Sequence, residues 1–264
     1  MAVREFRNAV AVKPKEAVVR NSLGLALFQS GRGPEAVAEF EKATQLSPDY
    51  PDPYSNLATA LAGAGRLDEA ASFYQKALDL SPDYAEAHNG LGTVLIQMDR
   101  TDQAVPHLEK AVRYKPGDAR AHATLALALA RTWKTKEAIP HAEQAVKLSG
   151  GRQADMLDLL GRLYAEVGRF PDAVRLERQA LAAASQTNQL RVIEGVEARI
   201  KLYEAGRVES APTAAASLHL PPASIPDRRQ EPGTSREYQW ATAPLPPRSS
   251  PLPVRNAAAG PRPT

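Results

Sequence analysis

Five histidines are the residues of this chain best suited to acid–base or metal chemistry. Imidazole titrates near neutral pH and is a common nitrogen ligand for transition metals. His88 and His122 stand 34 residues apart, and so do His107 and His141. Each of these is one position of a repeating unit seen twice, so the spacing comes from architecture rather than from ligand geometry. The stretch Gly90–Leu91–Gly92 is half of a dinucleotide fingerprint, but it falls inside a helical pattern with no strand before it. There is no HExxH, GxSxG or phosphate-loop motif, and no spacing pairs a nucleophile with a base. Without cysteine there is no disulfide framework, thiolate nucleophile or cysteine-based metal site. The chain is therefore expected to be no enzyme, with no catalytic residue, no metal site and no cofactor.

Bulk properties narrow the partners. The 264 residues are 43% hydrophobic, enough for a core, and the net charge is only +3. No strongly basic patch stands out, so no nucleic-acid partner is expected. No apolar run reaches the roughly 18 residues that span a bilayer, so no membrane segment is expected in this chain. No signal-peptide pattern opens the sequence, which favours a cytoplasmic location unless the N-terminus is truncated.

The elements that must position these residues are read from the repeat. Ala36, Ala70, Ala104 and Ala138 recur every 34 residues, and Ala43, Ala77, Ala111 and Ala145 follow seven later. Pro48, Pro82 and Pro116 close three copies, while Leu23, Leu57, Leu91 and Leu125 share one slot upstream. A fifth copy is offset by one residue, because Ala138 to Ala173 is 35. Each copy has two stretches of about 12–14 residues with apolar spacing of three and four, which predicts two amphipathic helices. Gly31, Gly65 and Gly168 lie between them, where a tight turn favours a left-handed residue. Pro34 and Pro171 suit the first turn of the second helix, and Asp68 and Asp102 suit the positive end of its dipole. The small residues Gly24, Ala58, Gly92, Ala126 and Gly161 let the paired helices approach closely. The closing proline stops the second helix.

This pattern resembles the tetratricopeptide repeat (TPR) family, whose unit is a 34-residue helix–turn–helix with small and large apolar slots and a terminal proline. The resemblance implies an all-α fold: a right-handed α-solenoid whose first helices line a concave groove. It covers five copies, at 17–50, 51–84, 85–118, 119–152 and 153–186. Residues 1–16 hold the second helix of an incomplete copy, since Ala2, Phe6, Ala9 and Pro14 fall 34 before Ala36, Phe40, Ala43 and Pro48. Residues 187–207 form a capping helix, which a solenoid needs to cover its last core face. Its apolar face is Leu190, Ile193, Val196, Ile200 and Tyr203, its charged face Arg191, Glu194, Glu197, Arg199 and Lys201, and Gly206 fits its C-cap.

Three departures stand out. Trp133 replaces the turn glycine in the fourth copy, and a bulky aromatic is poor at positive φ, which predicts a rearranged turn. Pro106 and Pro140 sit about a turn into their helices, where early N–H groups lack intrahelical partners. The extra residue lies at Gly150–Gly151, which predicts a change of pitch or some hinge freedom there.

At the N-terminus the first helix of the incomplete copy is absent. The chain is then a fragment or starts at the wrong codon, or the exposed helix serves as a makeshift cap behind Arg4, Glu5, Arg7 and Asn8. In a third reading that edge is a dimerisation or partner contact. Residues 208–264 hold 12 of the 22 prolines and no lysine, which reads as a disordered Pro/Arg/Ala-rich tail. Within it, Pro244–Arg248 and Pro251–Arg255 echo polyproline ligands.

What remains is binding by the first helices. Helical spacing puts Asn21, Gln29, Asp52, Ser55, Thr59, Glu86, Asn89, Thr93, Gln97, Arg120, Arg131, Asp155, Asp158 and Arg162 on the groove face. They are either the solvated side of amphipathic helices or a polar groove for a protein or peptide partner whose identity is unknown. Their charge alternates, acidic at Asp52 and Glu86, basic at Arg120, and acidic again at Asp155 and Asp158.

Some relatives in the resembling family clamp a C-terminal carboxylate with Lys, Asn, Asn, Lys and Arg. Asn56 stands in one such slot, but Glu86 and Gly90 hold the cationic slots and Asn21 replaces the lysine, so that clamp is absent. The asparagine ladder of sugar-transferring relatives is absent too, its slot reading Ser22, Asn56, Gly90 and Thr124. The expectation is a non-catalytic scaffold for protein–protein interaction. The alternative is the C-terminal TPR portion of a longer chain, since Glu197–Arg207 resembles the closing helix of bacterial glycosyltransferase-like proteins.

Overall fold

The computed structural model describes residues 2–186 and 190–208. Among them are twelve α-helices and no strand. A lone helix α1 (Ala2–Val12) is followed by five hairpins. These are α2 (Ala17–Gln29) with α3 (Gly33–Leu46), α4 (Pro51–Gly63) with α5 (Leu67–Leu80), and α6 (Ala85–Gln97) with α7 (Thr101–Tyr114). They continue as α8 (Ala119–Arg131) with α9 (Thr135–Leu148) and α10 (Ala154–Glu166) with α11 (Phe170–Gln186), and α12 (Leu190–Glu204) closes the row.

Small residues set the spacing within a hairpin. Ala36, Ala70, Ala104, Ala138 and Ala173 are wholly buried where the second helix crosses the first. Gly24 lies under the Phe40 ring, and a methyl group there would stand 2.5 Å from it. Each second helix packs on its own first helix and on the next one. First helices of neighbouring repeats also touch, from α2 with α4 through to α10 with α12, whereas second helices make no comparable contact. The row therefore curves with its first helices inside, and they form the concave face of an α-solenoid. Helix α12 stands where a sixth first helix would be, packed on α11 and touching α10. Helix α1 rests on α2 through Val3, Phe6 and Val10 and buries no residue fully.

The five turns close in one way. Gly31, Gly65, Asp99, Trp133 and Gly168 have φ of 77, 75, 58, 64 and 80°. After each, the next N–H reaches back to the first helix, as Arg32 does to Leu27 O at 2.9 Å and Lys134 to Leu129 O at 2.9 Å. That is the cap a left-handed residue makes at a helix end. The turn at Trp133 is thus not rearranged: the tryptophan itself takes the left-handed conformation, with its side chain 82% exposed. Pro106 and Pro140 are each the sixth residue of their helix, beyond the four N–H groups that lack partners, so each removes one helical bond. Gly150 and Gly151 both have positive φ, 67 and 66°, and absorb the extra residue. The proline-rich tail and its two echoes lie outside the described residues.

Because Trp133 gains little packing in that conformation, Trp133→Gly should stabilise the protein by about 1 kcal/mol, the order of the cost an L-residue bears at left-handed φ. A higher urea midpoint at unchanged slope is the expected reading. A lower midpoint would mean that the indole makes a contact worth more than the strain.

Candidate functional site

The concave face divides its polar side chains into two groups. Some are consumed by the fold. Asn21 and Asn56 join α2 to α4 through a buried amide pair at 2.9 Å. Thr59 donates its hydroxyl hydrogen to Ser55 O at 3.0 Å, so the Tyr74 hydroxyl, 2.8 Å away, donates to Thr59 Oγ1. Burial pushes the Tyr74 phenol up to about 12. Thr93 bonds Asn89 O at 2.8 Å in its own helix, and Ser55 is buried beside these groups.

The others keep some contact with solvent. Gln29, Gln97 and Asp155 are exposed, while Asp52, Glu86, Asn89, Arg120 and Arg131 are half-buried. Asp52 accepts from the Tyr50 hydroxyl at 3.1 Å. Tyr84 stands close by, its phenol pushed well up by burial and then by the charges of Asp52 and Glu86. Glu86 pairs with Lys115 at 2.6 Å. The Asn89 Oδ1 is buried and has no hydrogen-bond partner among the described residues. Arg131 of α8 leans toward Ile96 O at 3.5 Å, its guanidinium held below the usual range by burial, with Asp99 opposing. Tyr50, Tyr84 and Lys115 were missed by the sequence reading. The 34-residue spacing of the two tyrosines was the available signal.

Asp158 and Arg162 belong to a buried charge network at the last interface. Arg199 of α12 donates to Asp158, and its Nε lies 3.3 Å from Glu177 Oε1. Arg162 stands 4.0 Å from Asp158. Arg199, expected on the charged outer face, is instead buried. The reason is Glu177, which occupies the core slot held by Phe40, Tyr74 and Leu108 in earlier repeats and is 0% exposed. Burial pushes its carboxyl up, Asp158 adding to the shift and Arg199 opposing it.

A second column runs along the hairpins. The fourth residue of a first helix faces a partner 19 residues on: Arg20 with Glu39 at 2.8 Å, Tyr54 stacked on Phe73 at 6.4 Å between centroids, and then two histidine pairs. His88 and His107 approach through their Nδ1 atoms at 3.1 Å, and His122 and His141 do the same at 3.1 Å. In the first four repeats the fourth residue also meets the carbonyl of the proline six before it. Arg20 Nε is 2.8 Å from Pro14 O, the Tyr54 hydroxyl 3.2 Å from Pro48 O, His88 Nε2 3.0 Å from Pro82 O, and His122 Nε2 3.1 Å from Pro116 O. Among the described residues no group of three or more metal-ligating side chains converges, and no helix is long and apolar enough to cross a membrane.

Three repeat-family models match the chain, two described as tetratricopeptide repeat at residues 61–128 and 153–188 and one as TPR repeat at 24–65. Comparison with curated proteins finds no match. Solved structures with the same fold include YrrB, described as a TPR protein with an unusual peptide-binding site, at 21% identity and TM-score 0.56, covering 74% of this chain and 100% of that one. TTC0263 of Thermus thermophilus, a thermophilic TPR protein, matches at 22% identity and TM-score 0.57 over 72% of this chain and 98% of its own. The APC/C hetero-tetramer Cut9–Hcn1 matches at 21% and TM-score 0.65, over 81% of this chain and 44% of that one. At these identities the likeness shows the fold alone.

Removing Arg199 leaves Glu177 and Asp158 without the cation between them. Arg199→Leu should therefore cost about 3–5 kcal/mol, and adding Glu177→Leu should recover most of it. Denaturant unfolding of the single and double variants reads the coupling, and strictly additive losses would contradict it.

Proposed function

Since the chain belongs to the tetratricopeptide repeat family, we propose that it is a non-catalytic scaffold that takes an extended segment of a protein partner along its concave face. The observation that carries this reading is the row of half-buried charged side chains on successive first helices, acidic at Asp52 and Glu86 and basic at Arg120. The Asp52 carboxylate, flanked by Tyr50 and Tyr84, suits a lysine or arginine of the segment, and Arg120, two repeats further on, suits an acidic residue. The peptide-binding site ascribed to YrrB supports the reading by analogy. Arg199, Glu177, Asp158 and Arg162 hold the cap in this proposal and do not touch the partner.

A library of fluorescent extended peptides, varied in the spacing of one basic and one acidic residue, tests the groove by polarisation. Asp52→Lys should weaken the best binder by roughly tenfold, about 1.4 kcal/mol, with the circular dichroism unchanged. If Asp52→Lys and Glu86→Lys both leave binding intact while Trp133→Ala abolishes it, the site is the exposed turn and not the groove.

A further inference from the structure

The prolyl carbonyls fix the protons of the two histidine pairs. Pro82 O and Pro116 O only accept, so His88 Nε2 and His122 Nε2 carry the hydrogens. In the neutral ring the other nitrogen is then an acceptor. His107 Nδ1 and His141 Nδ1 must therefore be the donors across the 3.1 Å gaps. One added proton per pair is harmless, since it enters at the far Nε2 of His107 or His141 and leaves the shared hydrogen in place. A second proton has only His88 Nδ1 or His122 Nδ1 to go to. It would set two N–H groups and two charges against each other, with ring centroids 5.3 Å apart in each pair.

We propose that the two histidine pairs make repeats three and four an acid-sensitive joint: below about pH 6 the second protonation of each pair breaks the contact between its two helices and divides the solenoid in the middle. Other groups bear on the pairs unequally. The Tyr114 ring of α7 stacks 5.9 Å from His88. Lys110 of α7 disfavours charge on His88 and His107, behind the larger effect of burial, which holds both below the usual range. Burial and then His122 hold His141 down, with Glu109 of α7 opposing. Glu143, two residues beyond His141, is taken up by the Tyr164 hydroxyl of α10 at 2.7 Å.

The sign follows from linkage. The folded pair excludes a proton that the unfolded chain binds below its ordinary pKa of about 6.5, so stability is full above that pH and is lost as the pH falls. One excluded proton per pair raises the unfolding constant about tenfold per pH unit, and two pairs about a hundredfold. The inference is independent of what the concave face binds.

The chain supplies its own control, because repeat two fills the same two slots with Tyr54 and Phe73 and keeps the bond to the proline carbonyl. Urea unfolding between pH 7 and 5 is compared for the native protein and for a variant carrying His88→Tyr, His107→Phe, His122→Tyr and His141→Phe. The native protein should lose stability about a hundredfold per unit more steeply than the variant. Equal slopes would overturn the proposal. Should that variant not fold, imidazole nitrogen NMR of the native chain decides. His88 and His122 should stay neutral and Nε2-protonated until folded signals vanish, and full charging of both rings of a pair in a folded protein would sink the idea.

Discussion

The large side chain of a second helix lying over the small residue of the first is the contact on which the rest of this molecule depends. Phe40 lies on Gly24, Leu108 on Gly92 and Glu177 on Gly161, at distances that leave no room for a further methyl group without movement. A hairpin joined in this way has one side of its second helix covered and the other bare. The next first helix must cover the bare side, so the units stack in one direction and each is stable only in company. First helices are thereby drawn against one another while second helices are not, and the row bends. The concave face is a consequence of that bend.

A second recurring contact ties each unit to the one before. The proline that ends a second helix leaves its carbonyl without a helical partner, and a buried or half-buried carbonyl needs a donor. The fourth residue of the next first helix supplies it from a guanidinium, a phenol or an imidazole. At the fifth repeat both halves vanish together. Leu157 has no donor, and the residue six before it is Gly151, not proline. Acceptor and donor are lost at one junction, and there the spacing also slips by one residue.

Most of the architecture was legible in the sequence because its signals are local. Alanine and leucine slots at a fixed phase, a turn residue and a closing proline each report on a few neighbouring residues. Trp133 misled because its φ preference was weighed alone. The same two backbone bonds that close the glycine turns hold it, and the strain of about 1–2 kcal/mol is smaller than the cost of losing that cap. Arg199 misled because helical spacing assigns a face but not what lies opposite. Its partner Glu177 is 22 residues away on another helix, in a slot whose earlier occupants are apolar. On the concave side, spacing placed the polar residues on one face. It gave no account of how far a neighbouring helix buries Asn21 or Thr59, which depends on the distance between first helices.

The column of pairs 19 residues apart separates shape from chemistry more plainly. One pair of positions, 19 residues apart, holds an ion pair, an aromatic stack, two histidine pairs and two buried leucines in successive repeats. Anything that fills the volume, and in the first four repeats supplies a donor to the proline carbonyl, is accepted there. Packing therefore does not force histidine at His88, His107, His122 and His141. The two titratable pairs also fall in the middle of the row, where each hairpin is covered on both sides by another repeat. A pair at the end of a solenoid would fray one interface if it opened. A pair in the centre holds two, so the same protonation acts on the continuity of the whole array.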